Sequence, residues 1–108
     1  MMIIHFPESN RTIEMSRRDV AVHMDGGVSI KEFELHNLED EHGSVTARLH
    51  TVVGKVYEVE SINKRNLNKL IRLWRQHKEN PAAMYLDGEQ AKLTNGKGHD
   101  VFCCVREV

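Results

Sequence analysis

The sequence predicts an α+β fold: a mainly antiparallel sheet of about six or seven strands with one long amphipathic helix packed on one face. Two patterns favour it. Apolar and polar residues alternate over residues 1–60 and again near the C-terminus, as in half-buried strands, whereas residues 63–78 repeat with the period of a helix. The chain has 108 residues, 40% of them hydrophobic and 29% charged. That length and composition are typical of one globular domain, so we expect residues 1–108 to form a single α+β domain.

The N-terminal residues predict two short strands. Met2, Ile4 and Phe6 alternate with other residues, and Pro7 ends the run because its ring fixes φ and removes a backbone donor. Ile13 and Met15 resume the alternation. We therefore expect a strand on each side of the turn at residues 7–10.

Residues 17–24 allow two interpretations. Val20 and Val22 are β-branched and alternate, which favours a strand. A short helix is the alternative, because Ser16 followed by Asp19 resembles a capping box and Gly26 could end the helix. The strand is the preferred prediction.

The next region predicts three strands, two of them in a hairpin. Glycines at residues 26–27 mark a turn, and the apolar phase changes between Ile30 and Phe33, which predicts a β-bulge near residues 31–32. A hairpin follows around residues 54–55. Leu49 and Val59 share a face only if its loop has three or five residues.

The strongest prediction is a helix over residues 63–78. Its apolar stripe follows the i, i+3, i+4, i+7 spacing and consists of Leu67, Leu70, Ile71 and Trp74. Ser61 or Asn63 can cap its start, and Asn80 before Pro81 ends it. Short strands over residues 83–86, 91–93 and 100–108 complete the chain, separated by glycine-containing turns.

The helix also carries the sharpest functional signal. Fifteen Lys and Arg residues against sixteen Asp and Glu leave the whole chain nearly neutral, yet six of the fifteen lie in this helix, which contains no acidic residue. These six, which we call the basic face, are Lys64, Arg65, Lys69, Arg72, Arg75 and Lys78. Like charges three or four residues apart repel each other slightly.

An acidic macromolecule would relieve this repulsion. The sequence therefore predicts a small non-enzymatic binding or regulatory module whose basic face contacts nucleic acid or an acidic protein surface. The alternative is that these side chains are merely solvated, since Lys and Arg are good helix formers. Acidic residues at 32, 34 and 39–41 could also neutralise the basic face, within one molecule or across a symmetric pair.

A second function class is a homo-oligomeric structural protein, in which an open sheet edge or an uncovered sheet face pairs with its own copy. The aromatic side chains could either pack in the core or stack on nucleic-acid bases. Phe33, Tyr57, Trp74, Tyr85 and Phe102 fall on apolar phases, which favours core packing over stacking on bases.

The sequence gives less support for a metal site, a phosphate-binding loop or catalysis. The seven histidines lack the spacing of zinc ligands, His99 with Cys103 or Cys104 being the best local group, and the glycine turns lack phosphate-loop spacing. We predict no catalytic residues, metal or cofactor. Adjacent cysteines rarely pair with each other, which suggests a reducing, cytoplasmic location. No apolar run approaches the roughly 20 residues that cross a bilayer, so no membrane partner is expected.

Overall fold

The structure, a computed structural model, describes residues 2–8, 10–35, 41–76, 82–95 and 99–108. Its elements in chain order are β1 (Met2–Phe6), β2 (Arg11–Met15), α1 (Arg17–Met24), β3 (Val28–Leu35), β4 (Ser44–Thr51), β5 (Val56–Asn63), α2 (Lys64–Gln76), β6 (Ala82–Asp87), β7 (Gln90–Thr94) and β8 (Asp100–Glu107).

Six strands close into an antiparallel barrel in the order β3-β4-β5-β8-β7-β6. Each half is a meander of three consecutive strands. The halves join between β5 and β8, where Tyr57 faces Glu107, and between β3 and β6, where Val28 faces Met84. Closure gives each of these six strands a partner on both sides and so removes the open edges of a flat sheet.

The predicted open sheet with a helix across one face is therefore wrong. Register shifts between Ile30 and Glu32 and between Val45 and Ala47 are β-bulges, which bend the strands and increase their twist. Small side chains such as Ala47 and Ala91 line part of the interior. The sheet consequently curls until its ends pair. The bulge predicted near residues 31–32 is confirmed.

The interior of the barrel is one apolar cluster that includes residues from every barrel strand and from α2. Its buried members are Ile30, Phe33, Val45, Ala47, Leu49, Tyr57, Val59, Ile62, Leu67, Leu70, Ile71, Ala82, Met84, Ala91, Leu93, Val101 and Val105. Leu49 and Val59 share this face as predicted, because His50 faces Val56 and an odd number of residues, 51–55, lies between them. The core thus joins the α2 helix to the barrel wall.

Residues 17–24 form a helix, so the preferred strand prediction for this segment is wrong. The Ser16 side chain accepts a hydrogen bond from the Asp19 backbone N–H at 3.1 Å, which caps the helix start. No side chain of α1 is fully buried. Its capping residues therefore decide its structure, while its apolar pattern is too weak to signal a helix.

The α1 helix is held against the barrel near the start of β3. The Ser29 hydroxyl donates to the Asp19 carboxylate, and the Tyr85 hydroxyl donates to Asp25 at 3.1 Å. The Tyr85 ring passes so close to Gly27 that a Cβ there would lie 2.8 Å from a ring carbon. Any larger residue where the chain passes from α1 into β3 would have to displace the Tyr85 ring.

The strands β1 and β2 form a separate two-stranded antiparallel sheet, with Met2 facing Met15 and Phe6 facing Arg11. Both strands were predicted. Met15 is buried, and the Phe6 ring meets His23 of α1 edge-on, with 5.2 Å between ring centroids. The hairpin is thereby attached to α1.

Candidate functional site

The α2 helix closes the end of the barrel at which β5 ends and β6 and β8 begin. Asn63 starts it: its side-chain oxygen accepts a hydrogen bond from the Asn66 backbone N–H at 3.0 Å, as predicted for an N-cap. Leu67, Leu70 and Ile71 are buried in the barrel core. Because these three side chains fix one face inward, the opposite face of α2 points to solvent.

The basic face lies on this solvent side. Arg65, Lys69, Arg72 and Arg75 are exposed, as the helical spacing predicted, whereas Lys64 is half-buried at the first turn. Lys78 lies outside the described residues. Trp74, on the border between the two faces, packs edge-on against Phe33 of β3 with 5.4 Å between ring centroids.

Four of these cations, Lys64 among them, line a groove of about 1010 Å³ that runs along the first turns of α2. Besides basic side chains, it is lined by amide side chains and by the turn before β4. The lining residues are His42, Gly43, Asn63, Lys64, Arg65, Asn66, Asn68, Lys69 and Arg72. Arg75 faces a different depression, beside Phe33, Trp74 and Glu32. The groove therefore contains the Lys64, Arg65, Lys69 and Arg72 part of the basic face.

Barrel pairing brings the groove together. Ser44 faces Asn63 across β4 and β5, and the Lys64 N–H donates to the Gly43 carbonyl at 3.1 Å, which places His42 and Gly43 beside the helix start. A ring nitrogen of His99, just before β8, lies 3.3 Å from the Asn66 carbonyl oxygen. Sequence reasoning missed these residues, because the helical period identifies neighbours on α2 but not on other elements.

Within the described ranges, carboxylates of the chain itself do not neutralise the exposed cations of α2. Among the described residues, no carboxylate lies within 4.0 Å of Arg65, Lys69, Arg72 or Arg75. In the acidic group predicted as a counterpart, Glu34 contacts His50 at 3.1 Å and Glu41 contacts His42 at 3.5 Å, while residues 39 and 40 lie outside the described residues. Arg65, Lys69, Arg72 and Arg75 thus remain available to an external anion.

The described histidines and cysteines do not form a metal site. Over the described ranges, no three His, Cys, Asp or Glu side chains are grouped as metal ligands. His99 and Cys103, which the sequence suggested as metal ligands, have different neighbours. Cys103 packs against the barrel core, whereas His99 contacts α2.

Cys103 and Cys104 differ sharply in environment. Burial, with a smaller contribution from Cys104, raises the pKa of Cys103 from 9.0 to about 11. Its thiol lies 3.9 Å from the Ala91 carbonyl oxygen. Cys104 is exposed. Since the thiolate is the nucleophile, Cys103 should be unreactive in the folded chain.

We expect brief treatment with iodoacetamide at about pH 8 to attach one label per folded chain, at Cys104, because a higher pKa lowers the thiolate fraction of Cys103 about 100-fold. Mass spectrometry before and after unfolding in urea measures this, with two labels expected after unfolding. The Cys104→Ser variant should remain nearly unlabelled until it unfolds. Equal labelling of both cysteines in the folded protein would contradict the burial of Cys103.

The aromatic residues divide between core and surface. Phe33 and Tyr57 are buried, as predicted, but the Phe102 side chain is 75% exposed on the outer face of β8. It faces Lys92 of β7, whose ammonium lies 5.1 Å from the Tyr85 ring centroid. Phe102 thus belongs to an exposed patch that core packing does not explain.

No protein-family model, curated protein or solved structure matches this chain. Within the described residues, none of the helices has the length and apolar character needed to cross a membrane. Function is therefore inferred from the geometry and charge of the groove.

Proposed function

We propose that this chain is a non-catalytic binding module that holds nucleic acid through phosphate contacts in the groove along α2. The observation that carries the proposal is the set of exposed cations Arg65, Lys69 and Arg72, which have no carboxylate partner among the described residues. The two free cysteines suit a reducing compartment, so the proposal includes a cytoplasmic location.

The spacing of the three cations suits a phosphate backbone. Arg65 and Arg72 are seven residues apart, which corresponds to about 10 Å along a helix axis. Phosphates of one DNA strand rise about 3.4 Å per step, so the cations span about three phosphates. Three contacts would give modest affinity, as expected for a chain with a formal net charge of −1.

The amide side chains favour nucleic acid over an acidic protein surface. Asn66 and Asn68 are exposed in the same groove as the cations. An amide offers both donors and an acceptor, so it can bind phosphate, sugar or a base edge. An ionised carboxylate only accepts hydrogen bonds and would leave the amide oxygen unused. A groove for an acidic peptide would gain little from the amide oxygens.

Salt dependence provides the test. We expect fluorescence anisotropy to show binding to labelled DNA and RNA at about 50 mM salt, with affinity falling about 20- to 40-fold by 200 mM, because about three counterions are released. A poly-glutamate peptide of equal charge serves as the comparison. Tighter binding of the peptide would indicate that the groove binds acidic proteins instead of nucleic acid. No binding of any probe at low salt would refute the proposal.

A further inference from the structure

The outer edge of β1 is the most conspicuous surface that the proposed function does not use. β1 pairs with β2 along one side, and in the described part of the chain no strand pairs with its other side. In an antiparallel pair, every second residue directs its N–H and C=O away from the partner strand. β1 therefore presents a row of backbone donors and acceptors to solvent.

This edge lacks the usual protection. Natural edge strands carry lysines, prolines, bulges or inward-pointing charges that prevent pairing with another chain. β1 reads MIIHF and contains no Lys, Arg, Asp or Glu. Ile3 is 72% exposed and Met2 is 42% exposed. Its partner β2, in contrast, carries Arg11 and Glu14.

We propose that β1 pairs antiparallel with β1 of a second copy of this chain, around a two-fold axis at Ile4. Such a pairing places Ile3 of each copy opposite His5 of the other, and Met2 opposite Phe6. No like charges face each other, so the strand is complementary to itself. The two hairpins then form one four-stranded sheet, which removes the marginal stability of an isolated two-stranded one.

The size of the contact sets the expected affinity. Two paired five-residue strands bury less surface than the 1,200–2,000 Å² that stable interfaces typically bury. We therefore expect a reversible dimer that forms at micromolar concentrations. Its formation does not involve α2, so this inference is independent of the proposed nucleic-acid binding.

Sedimentation equilibrium over a concentration series tests the inference with a pair of charge variants. Ile3→Lys with His5→Lys places two lysines opposite each other at both symmetric positions, and the dimer dissociation constant should rise at least tenfold. Ile3→Lys with His5→Glu places lysine opposite glutamate and should restore association. Both substituted side chains are exposed, and circular dichroism verifies that each variant is folded.

A matched control uses the other exposed apolar patch. Phe102→Ser removes a side chain that is 75% exposed on β8 and should leave the association unchanged. Three results would overturn the inference: a monomer at every concentration, an unchanged dimer in the two-lysine variant, or loss of the dimer with Phe102→Ser alone. Failure of the lysine–glutamate variant to associate would also contradict it, because strand charge would then not decide pairing.

Discussion

Replacing Leu70 with alanine should lower the free energy of unfolding by about 3 kcal/mol, because a fully buried leucine loses its transfer energy and leaves a cavity. Leu70 is 0% exposed and lies where α2 enters the barrel core. For a domain of this size, that loss corresponds to a fall in Tm of about 12 to 24 °C. Urea unfolding followed by Trp74, the single tryptophan of the chain, measures the change.

Leu73 is the matched control for this experiment. It lies on the same helix but is only half-buried, so Leu73→Ala changes helix propensity by the same amount and removes less packing. We expect a loss of about 1 kcal/mol. Trp74 packs on Phe33, so its fluorescence also reports whether α2 stays docked. Equal losses in the two variants would contradict the placement of Leu70 in the core.

Local pattern explains most elements of the fold. The α2 stripe, the bulge in β3 and the odd number of residues between the paired His50 and Val56 follow from apolar period and phase alone. Each of these features depends on residues near one another in the chain. Local preferences and the final fold agree in these segments, as expected for a sequence that folds reliably.

Closure of the barrel depends on distant residues and was not predictable in this way. The pairings of β3 with β6 and of β5 with β8 join segments about 50 residues apart, and alternation is the same in an open and a closed sheet. The strand prediction for residues 17–24, where α1 forms, was wrong for another reason. This helix buries no side chain completely, so its cap at Ser16 outweighs the β-branched residues Val20 and Val22.

The residues of the candidate site likewise divide into those that local pattern predicts and those that only distant strand pairing brings to the site. Arg65, Lys69 and Arg72 were found because a helical stripe that faces the core fixes what faces solvent. Asn66 and Asn68 lie on that same face, but a neutral amide gives no charge signal in the sequence. His42 and Gly43 could not be found, because only the pairing of β4 with β5 brings their turn to the helix.

Removing two of the groove cations should have the largest effect on binding. In the double variant Arg65→Gln with Arg72→Gln, about one phosphate contact remains, so the slope of log affinity against log salt should decrease in magnitude by about 2. The electrostatic contribution nearly vanishes at about 1 M salt. Affinity at about 50 mM salt should therefore fall on the order of 100-fold. Anisotropy titrations with one labelled strand at four salt concentrations measure both values.

The control variant also loses two positive charges, but at positions away from the groove. Arg17 on α1 and Lys55 in the turn between β4 and β5 are exposed and lie at the barrel end opposite α2. Arg17→Gln with Lys55→Gln should leave the salt slope unchanged, because screening at these salt concentrations confines exposed charges to about 10 Å. If both double variants lose affinity equally, binding reflects net charge, and the groove along α2 is not the contact surface. A loss confined to the Arg65 and Arg72 variant assigns the phosphates to the cations that α2 holds in place.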